Sequence, residues 1–449
     1  MTVVLYVVGV LAVVVGIAVS IALHELGHLL PAKRFGVRVT QYMVGFGPTV
    51  WSRQRGETEY GIKGIPLGGY IRMIGMFPPR RGTPEGMVSA GSSNPVASLV
   101  ESARAESLEE LRPGDEHRTF YGLKVWQKLV VMLGGPVMNL VLATVLLAVV
   151  AVGFGTLQAT TTIQTVSECV VPADAPPDTV CGAEDPAAPA AAAGILPGDR
   201  VLSVDGEAAR SWSDVQTAIR RSAGRELELV LERDGEEVVV AVTPSLNAVV
   251  ALDESGEAVL DEDGAPTTVE SGFLGVAPVQ GLVRRPVTVV PGLVGDAVVG
   301  TATILVRLPQ FMVGVADAAF GGGERDAQGP ISVVGVGRLA GEIASYEDPE
   351  GRLGVGEKVA QIIAFIAGLN VALFVFNLIP LLPLDGGHVA GALLEGARKV
   401  WARLRSLPDP GPVDVAKALP LAYAVALLLL GTSVLLIYAD LVNPVRLTG

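Results

Sequence analysis

Four apolar stretches, near Thr2–Leu30, Leu129–Gly153, Ala360–Leu384 and Leu419–Tyr438, punctuate an otherwise mixed chain. Each is long enough to cross a bilayer, which takes roughly 20 helical residues. They predict transmembrane helices at 1–31, 129–153, 359–395 and 416–439. The third is read as broken, because Pro380 and Pro383 remove backbone donors and Gly386-Gly387 lets the chain turn. The first lacks a basic start and a small-residue cleavage site, so it reads as a retained span and not a signal peptide.

Between the spans the pattern changes period. Alternating apolar residues and glycines over 38–73 predict short, twisted strands within an inner segment, 32–128. Residues 76–114, rich in Pro, Gly, Ser and Glu, read as a flexible insert. A small α+β domain is expected over 170–280. There GILPGDRVLSVDG (Gly194–Gly206) gives a turn, a strand and a second turn, and Ser213 with Gln216 forms a capping box. Glu226–Arg233 and Glu236–Thr243, joined at Asp234-Gly235, form a hairpin, and GFLGVAP (Gly272–Pro278) supplies a closing strand. Over 286–358, Asp296, Gly300, Thr303 and Arg307 recur at helical spacing and make a polar stripe, which predicts amphipathic helices on the membrane surface.

Composition agrees with a membrane protein: half of the 449 residues are hydrophobic, which excludes an ordinary soluble domain. The formal charge of −13 is unevenly spread. Lys33–Lys128 carries fourteen Lys/Arg against nine Asp/Glu, whereas Thr156–Lys358 carries thirteen against thirty-one. The short connection after the third span holds Arg398, Lys399, Arg403, Arg405 and Lys417. Positive residues favour the cytoplasmic side, so the first and third connections are expected inside, and the acidic second connection and both termini outside. The only cysteines, Cys169 and Cys181, fall together in that outer segment, where an oxidising environment predicts a disulfide. No basic stretch interleaved with aromatics and no Gly-rich phosphate loop is present, which argues against nucleic-acid or nucleotide binding.

The sharpest chemical signal is His24-Glu25-Leu26-Gly27-His28, at the end of the first apolar helix. Residues four apart on a helix point the same way, so both imidazoles reach one metal, and Glu25 is placed to take a proton from water. Ionisable groups inside a span are costly and usually functional. A hydrolytic zinc (Zn2+) site needs three protein ligands and an open position. Of the remaining histidines, His117 lies in a charged loop, which leaves a carboxylate; Asp385, after the Pro-broken third span, is the expected third ligand. One returning span between them brings His24 and Asp385 to the same depth, in the inner third of the membrane. Asn377 is a candidate for a hydrogen bond to substrate or oxyanion, His388 for a supporting or substrate contact, and Asn139 for orienting the break in the third span. A strand edge at Gly68, Gly69 and Tyr70 is a candidate for pairing with extended substrate backbone.

These motifs together resemble the site-2 protease family: H-E-x-x-H in the first span, G-F-G at Gly45–Gly47, G-G-Y at Gly68–Tyr70, G-P-x-x-N at Gly135–Asn139 and N-x-x-P-x-x-P-L-D-G at Asn377–Gly386. Four spans and one outer domain whose PGD turn (Ile195-Leu196-Pro197-Gly198-Asp199) resembles the signature of envelope-protease PDZ domains are similar to its bacterial envelope-stress branch. The resemblance implies a polytopic α-helical membrane protease in the bacterial inner membrane, with His24, His28 and Asp385 on zinc and Glu25 as general base. Its implied substrates are membrane proteins cleaved within the lipid bilayer, commonly single-span anti-sigma factors already cut outside by a site-1 protease. Two other classes fit less well. A catalytically silent zinc scaffold has no need of Glu25, and a transporter is expected to show paired, repeated broken helices.

Overall fold

The structure, a computed structural model, describes residues 2–79, 100–102, 104–105, 107, 111–170, 181–182, 185–251, 259, 267–321, 325, 329–346 and 354–444. The insert expected over 76–114 therefore lies largely outside the described residues. In chain order the elements begin with helix α1 (Thr2–Arg34), strands β1 (Val39–Arg55) and β2 (Thr58–Met73), and α2 (Val125–Ala148), which continues as a π-helical turn at Val149–Phe154. There follow β3 (Thr156–Val166), the single turn α3 (Pro189–Ala192), β4 (Arg200–Val204), β5 (Glu207–Ala208), α4 (Trp212–Arg221), β6 (Leu227–Arg233), β7 (Glu236–Val242), β8 (Ser245–Val250), β9 (Thr268–Phe273) and β10 (Val276–Val283). The chain ends with α5 (Val290–Phe320), α6 (Val333–Ser345), α7 (Val355–Asn377), α8 (Asp385–Leu404) and α9 (Leu419–Val442). Two compact units result, one of residues 1–154 with 286–449 and one of 155–285.

In the first unit five of the described helices are long and apolar enough to cross a membrane: α1, α2, α5, α7 and α9, some with short flanking turns. That is one more than the four expected. The addition, α5, falls where surface helices were anticipated and is one continuous helix of 31 residues. It packs Ala297 and Ala302 towards Ala143 of α2 and Val371 of α7, and further along sets Val315 and Ala319 against Ala439 of α9.

Small residues set the helix crossings, as is usual where lipid tails give no hydrophobic drive for association. A Cβ on Gly27 of α1 would lie 2.2 Å from the Gly134 carbonyl oxygen of α2, and one on Gly134 would lie 2.0 Å from that of Gly27. With Asn139 beside His24, these contacts make α1 and α2 antiparallel. Helix α7 runs parallel to α1. Gly16 faces Ile366, and one turn further on the buried Asn370 donates to Ser20 Oγ at 2.9 Å. Helix α6 lies on the first half of α1, with Gly9 against Ala340 and Gly341 against Tyr6.

The expected short strands over 38–73 are two long ones that fold back on themselves. Tyr42 and Met43 of β1 pair on one side with Ile71 and Tyr70, and on the other with Tyr60 and Gly61, which pair in turn with Arg53 and Ser52. Reversal within β1 uses Gly45 and Gly47 at φ +93° and +82°, a region that L side chains rarely enter. Segment Gly69–Met73 is left at the sheet edge. The sheet is tied to α1 by the Tyr42 hydroxyl, which donates to the Ala22 carbonyl at 2.7 Å. A buried cluster including Leu29, Val39, Met73, Phe120 and Val131 joins α1, the sheet and α2.

The second unit is built on a sheet of order β10-β3-β4-β6-β7, with β5 pairing β4, and a separate β8-β9 pair. Its core gathers Ile163, Ile195, Val201, Ile219, Leu227, Leu229 and Leu231. The domain begins at Gly155, not near residue 170, because the Thr-rich strand β3 leaves α2 directly and pairs with β10 and β4. The helix cap is also two residues earlier than expected. Ser211 Oγ accepts from the Asp214 N–H at 3.3 Å, and the Asp214 carboxylate accepts from the Ser211 N–H at 2.9 Å, so Asp214 reciprocates where Gln216 was expected to. β6 and β7 meet at Asp234, φ +54°, and Gly235, φ +85°. Cys169 and Cys181 form a disulfide.

Candidate metal centre

Three side chains from two ends of the first unit converge on one point. His24 Nε2 and His28 Nε2 are 3.2 Å apart, and Asp385 Oδ2 lies 3.2 Å from the first and 3.3 Å from the second. The histidines meet because they stand one turn apart on α1. Asp385 arrives because α7 stops at Asn377 and a new helix, α8, starts at Asp385 itself. Between them, a Cβ on Gly386 would lie 2.2 Å from the Ile379 carbonyl oxygen, so the linker folds back tightly on the start of α8.

Proton placement shows what this triangle can hold. His28 Nδ1 is 2.7 Å from the Val131 carbonyl oxygen, which only accepts, so Nδ1 carries the proton and Nε2 of the neutral ring presents a lone pair. His24 Nδ1 faces the side-chain amide of Asn139 at 3.1 Å. Asn139 is fully buried, with its nitrogen towards His24 and its oxygen unpartnered. Rotating that amide by half a turn, which exchanges two nearly indistinguishable atoms, lets the oxygen accept from His24 Nδ1–H and frees His24 Nε2 likewise. Three lone-pair atoms then face one another with no hydrogen between them. Asp385 Oδ2 is buried without a hydrogen-bond donor. A cation satisfies all three. Their separations match the edge of a tetrahedron with ligand distances of about 2.0–2.1 Å, which is about 3.3 Å. Among the described residues, this trio is the group placed to bind a metal.

The surroundings are equally tight. A Cβ on Gly135 would sit 2.2 Å from His28 Nε2 and 2.7 Å from His24 Nε2. Glu25, nearly buried on the next position of α1, faces the sheet edge. The Ile71 backbone N–H is directed at its carboxylate, and a Cβ on Gly69 would lie 3.0 Å from its Cγ. Gly68 holds φ +100°, while the Tyr70 hydroxyl donates to Gln41 and its ring stacks on Phe46.

The remaining candidates lie at varied distances from the trio. Asn139 contacts His24. Asn377 ends α7 with its amide donating to the Leu373 carbonyl at 3.0 Å. His388, one turn into α8, packs edge-on against Phe120. His117 is exposed and outside the trio. Sequence reasoning passed over Ser20 and Asn370, whose polarity within apolar runs was the available signal.

A family model described as "Peptidase family M50" matches residues 12–406, which takes in all three ligand positions, Asn139 and the sheet. The chain belongs to peptidase family M50. Among curated relatives, it is 34% identical to the zinc metalloprotease Rip1 of Mycobacterium tuberculosis, over 99% of each chain. It is 28% identical to the metalloprotease MmpA of Caulobacter vibrioides, over 85% of each. With the zinc metalloprotease RasP of Bacillus licheniformis the identity is 26%, over 84% of this chain and 87% of the relative. This M50 protein is thus a membrane-embedded metalloprotease of the site-2 type, as its motifs implied, and its family's names point to zinc.

Proposed function

We propose that this protease holds Zn2+ on His24, His28 and Asp385 and cleaves peptide bonds within or near transmembrane segments of other membrane proteins, with Glu25 as general base. The observation that carries this is the triangle of three bare ligand atoms with Glu25 beside it. Bound zinc would supply Lewis acidity and lower the pKa of its water to about 7. Glu25 takes the water proton and returns it to the leaving amine. Val131 and Asn139 hold the imidazoles in the tautomer that leaves Nε2 free. A helical substrate must unwind first, because its carbonyls are hydrogen-bonded within the helix. The edge at Gly68, Gly69 and Tyr70 receives the unwound strand by backbone pairing and carries it past Glu25. Asn377, at the end of α7, is assigned a hydrogen bond to substrate or oxyanion, and His388, packed on Phe120, a supporting or substrate contact.

The deciding experiment compares wild type with Glu25→Gln in detergent, by metal analysis and by cleavage of a tagged single-span protein. About one zinc in each, with cleavage only by wild type, is the expected result, since three ligands suffice to hold the metal. Absence of zinc from both would defeat the proposal. Zinc in both, with equal cleavage, would remove Glu25 from the chemistry.

The same reading places four crossings in the membrane. Because α1 and α7 are parallel and α2 antiparallel, the chain leaves α2 and enters α7 on one side. A lone crossing by α5 would put those ends on opposite sides, so α5 is not counted as a crossing, although its Ala297 and Ala302 reach Ala143 and Val371 between the spans. Charge then sets the termini and residues 155–285 outside and the sheet inside. Residues 155–285 are read as PDZ-like, from the PGD turn at Pro197–Asp199 followed by strand, helix and hairpin. Single-span anti-sigma factors, shortened first by a site-1 protease, are the substrate class this arrangement suits.

A further inference from the structure

Helix α8 begins at Asp385 and has a second feature at its far end. Its face towards the protein carries Ala392, Glu395 and Ala402. At 100° per residue, the opposite arc holds Leu393, Leu394, Val400, Trp401 and Leu404, all exposed. Arg398 and Arg403 fall at the two edges of that arc. Beyond the helix the chain turns back, leaving a groove of about 410 Å3 lined by Ala397, Arg398, Trp401, Ala402, Leu407, Pro408 and Pro410. All of these but Arg398 are apolar, and the one charge stands at the rim.

The charges nearby are already accounted for. Glu395 is buried and accepts from Lys128 and from Lys399, both at 2.7 Å. Asp414 is paired with Arg104. Asp409 accepts from the Gly411 N–H at 2.7 Å. Arg405 lies over the Trp401 ring at 4.7 Å. Among the described residues, Arg398, Arg403 and Arg405 therefore have no carboxylate partner. An apolar groove with the guanidinium of Arg398 at its rim, Arg405 over the Trp401 ring and Arg403 on the other edge of the helix is complementary to an acyl chain ending in a phosphate.

We propose that this groove is a binding site for an anionic phospholipid, its acyl chain against Trp401, Leu407 and Pro408 and its phosphate on Arg398, with Arg403 and Arg405 adding field. Arginine suits the role because its planar fork matches phosphate oxygens in pairs. The lipid holds the far end of the helix whose first residue is the proposed metal ligand Asp385, while the Lys128–Glu395 pair holds its middle.

The test uses the full chain in lipid nanodiscs, with Trp51, Trp126 and Trp212 replaced by Phe so that Trp401 alone fluoresces. Brominated phosphatidylglycerol, dilute in phosphatidylcholine, is compared with brominated phosphatidylcholine at the same dilution. Each basic residue at such a site favours the anionic lipid by about five-fold, so phosphatidylglycerol should quench at a mole fraction several-fold lower. Arg398→Gln should remove about five-fold of that preference, and Arg398→Lys should keep most of it. Equal quenching by the two headgroups would overturn the proposal, since any lipid would then cover this face. So would an unchanged preference in Arg398→Gln. Phospholipid co-purifying with the wild-type protein, compared with Arg398→Gln, gives the same contrast without the Trp replacements. There, equal phosphatidylglycerol content would be the refuting result.

Discussion

Asn139 offers the most informative single substitution, because its role depends on which of its two side-chain atoms faces His24. The residue has no exposed surface, and among the described residues its side chain meets His24 Nδ1 alone. Replacing it with Leu keeps the bulk but leaves a buried imidazole N–H without an acceptor, at about 1–3 kcal/mol. Losing an outer partner of a ligating histidine typically costs 10–100-fold in metal affinity, which is about 1.4–2.7 kcal/mol and agrees with that range. Asn139→Leu should therefore bind zinc about 10–100-fold more weakly in competition with a chromophoric chelator, in detergent. Asn139→Asp separates the two orientations. A carboxylate only accepts, so it preserves zinc affinity if His24 Nδ1 is the donor and fails if His24 must receive a proton. Wild-type affinity in Asn139→Leu would refute the supporting role. Weak binding by Asn139→Asp equal to that of Asn139→Leu would refute the proposed tautomer.

Two other outcomes are expected. Gly135→Ala should bring metal content to background without unfolding the protein, because the new methyl occupies the space between His24 Nε2 and His28 Nε2; stoichiometric zinc in that variant would contradict the site. In the second unit, Arg233 beside the buried Asp199 holds its carboxyl below the usual aspartate range. A depressed folded-state pKa stabilises fully above the ordinary value near 4 and is lost as pH falls through the depressed one. With Trp51, Trp126 and Trp401 replaced by Phe, the Trp212 fluorescence melt of the full chain should therefore lose stability below about pH 4. Arg233→Met should lower stability at neutral pH, by leaving the buried Asp199 without its partner, and flatten that acid dependence. A melt with the same acid slope in both proteins would count against the pair.

Much of this was legible in the sequence because membrane and metal both impose narrow requirements. H-E-x-x-H on an apolar helix has few uses, and a Pro-broken span ending in Asp-Gly-Gly is expensive unless the carboxylate is needed. What escaped was set by partners far away in the chain. β3, TLQATTTIQTV, alternates weakly and declares itself only through its pairing with β10, more than a hundred residues on. The true helix cap at Ser211 depended on Asp214 turning back to its amide, which spacing alone did not distinguish from Ser213 and Gln216. Asn139 was noticed as a polar group at the start of a span, but its contact with His24 was not foreseen. Only the crossing of α1 and α2 decides that it meets His24.

That crossing also explains why glycine stands beside every proposed ligand. Two helices whose backbones touch at Gly27 and Gly134 bring Gly135 against both imidazoles, and no larger residue leaves space there for an ion. The third ligand has the same requirement in another form, since Gly386 follows Asp385 and faces the Ile379 carbonyl at a distance no side chain tolerates. The glycines of H-E-x-G-H, G-G-P-x-x-N and D-G-G thus serve one end: Gly27 and Gly134 let α2 close on α1, Gly135 leaves room at both imidazoles, and Gly386 lets the linker fold back so that Asp385 comes within 3.2–3.3 Å of them. On this argument Gly27→Ala should weaken zinc binding without touching a ligand, by pushing α1 from α2. The separation of spin labels placed on the two helices would widen as affinity falls. Loss of zinc with no change in separation would show that Gly27 acts on His28 directly and not through the crossing.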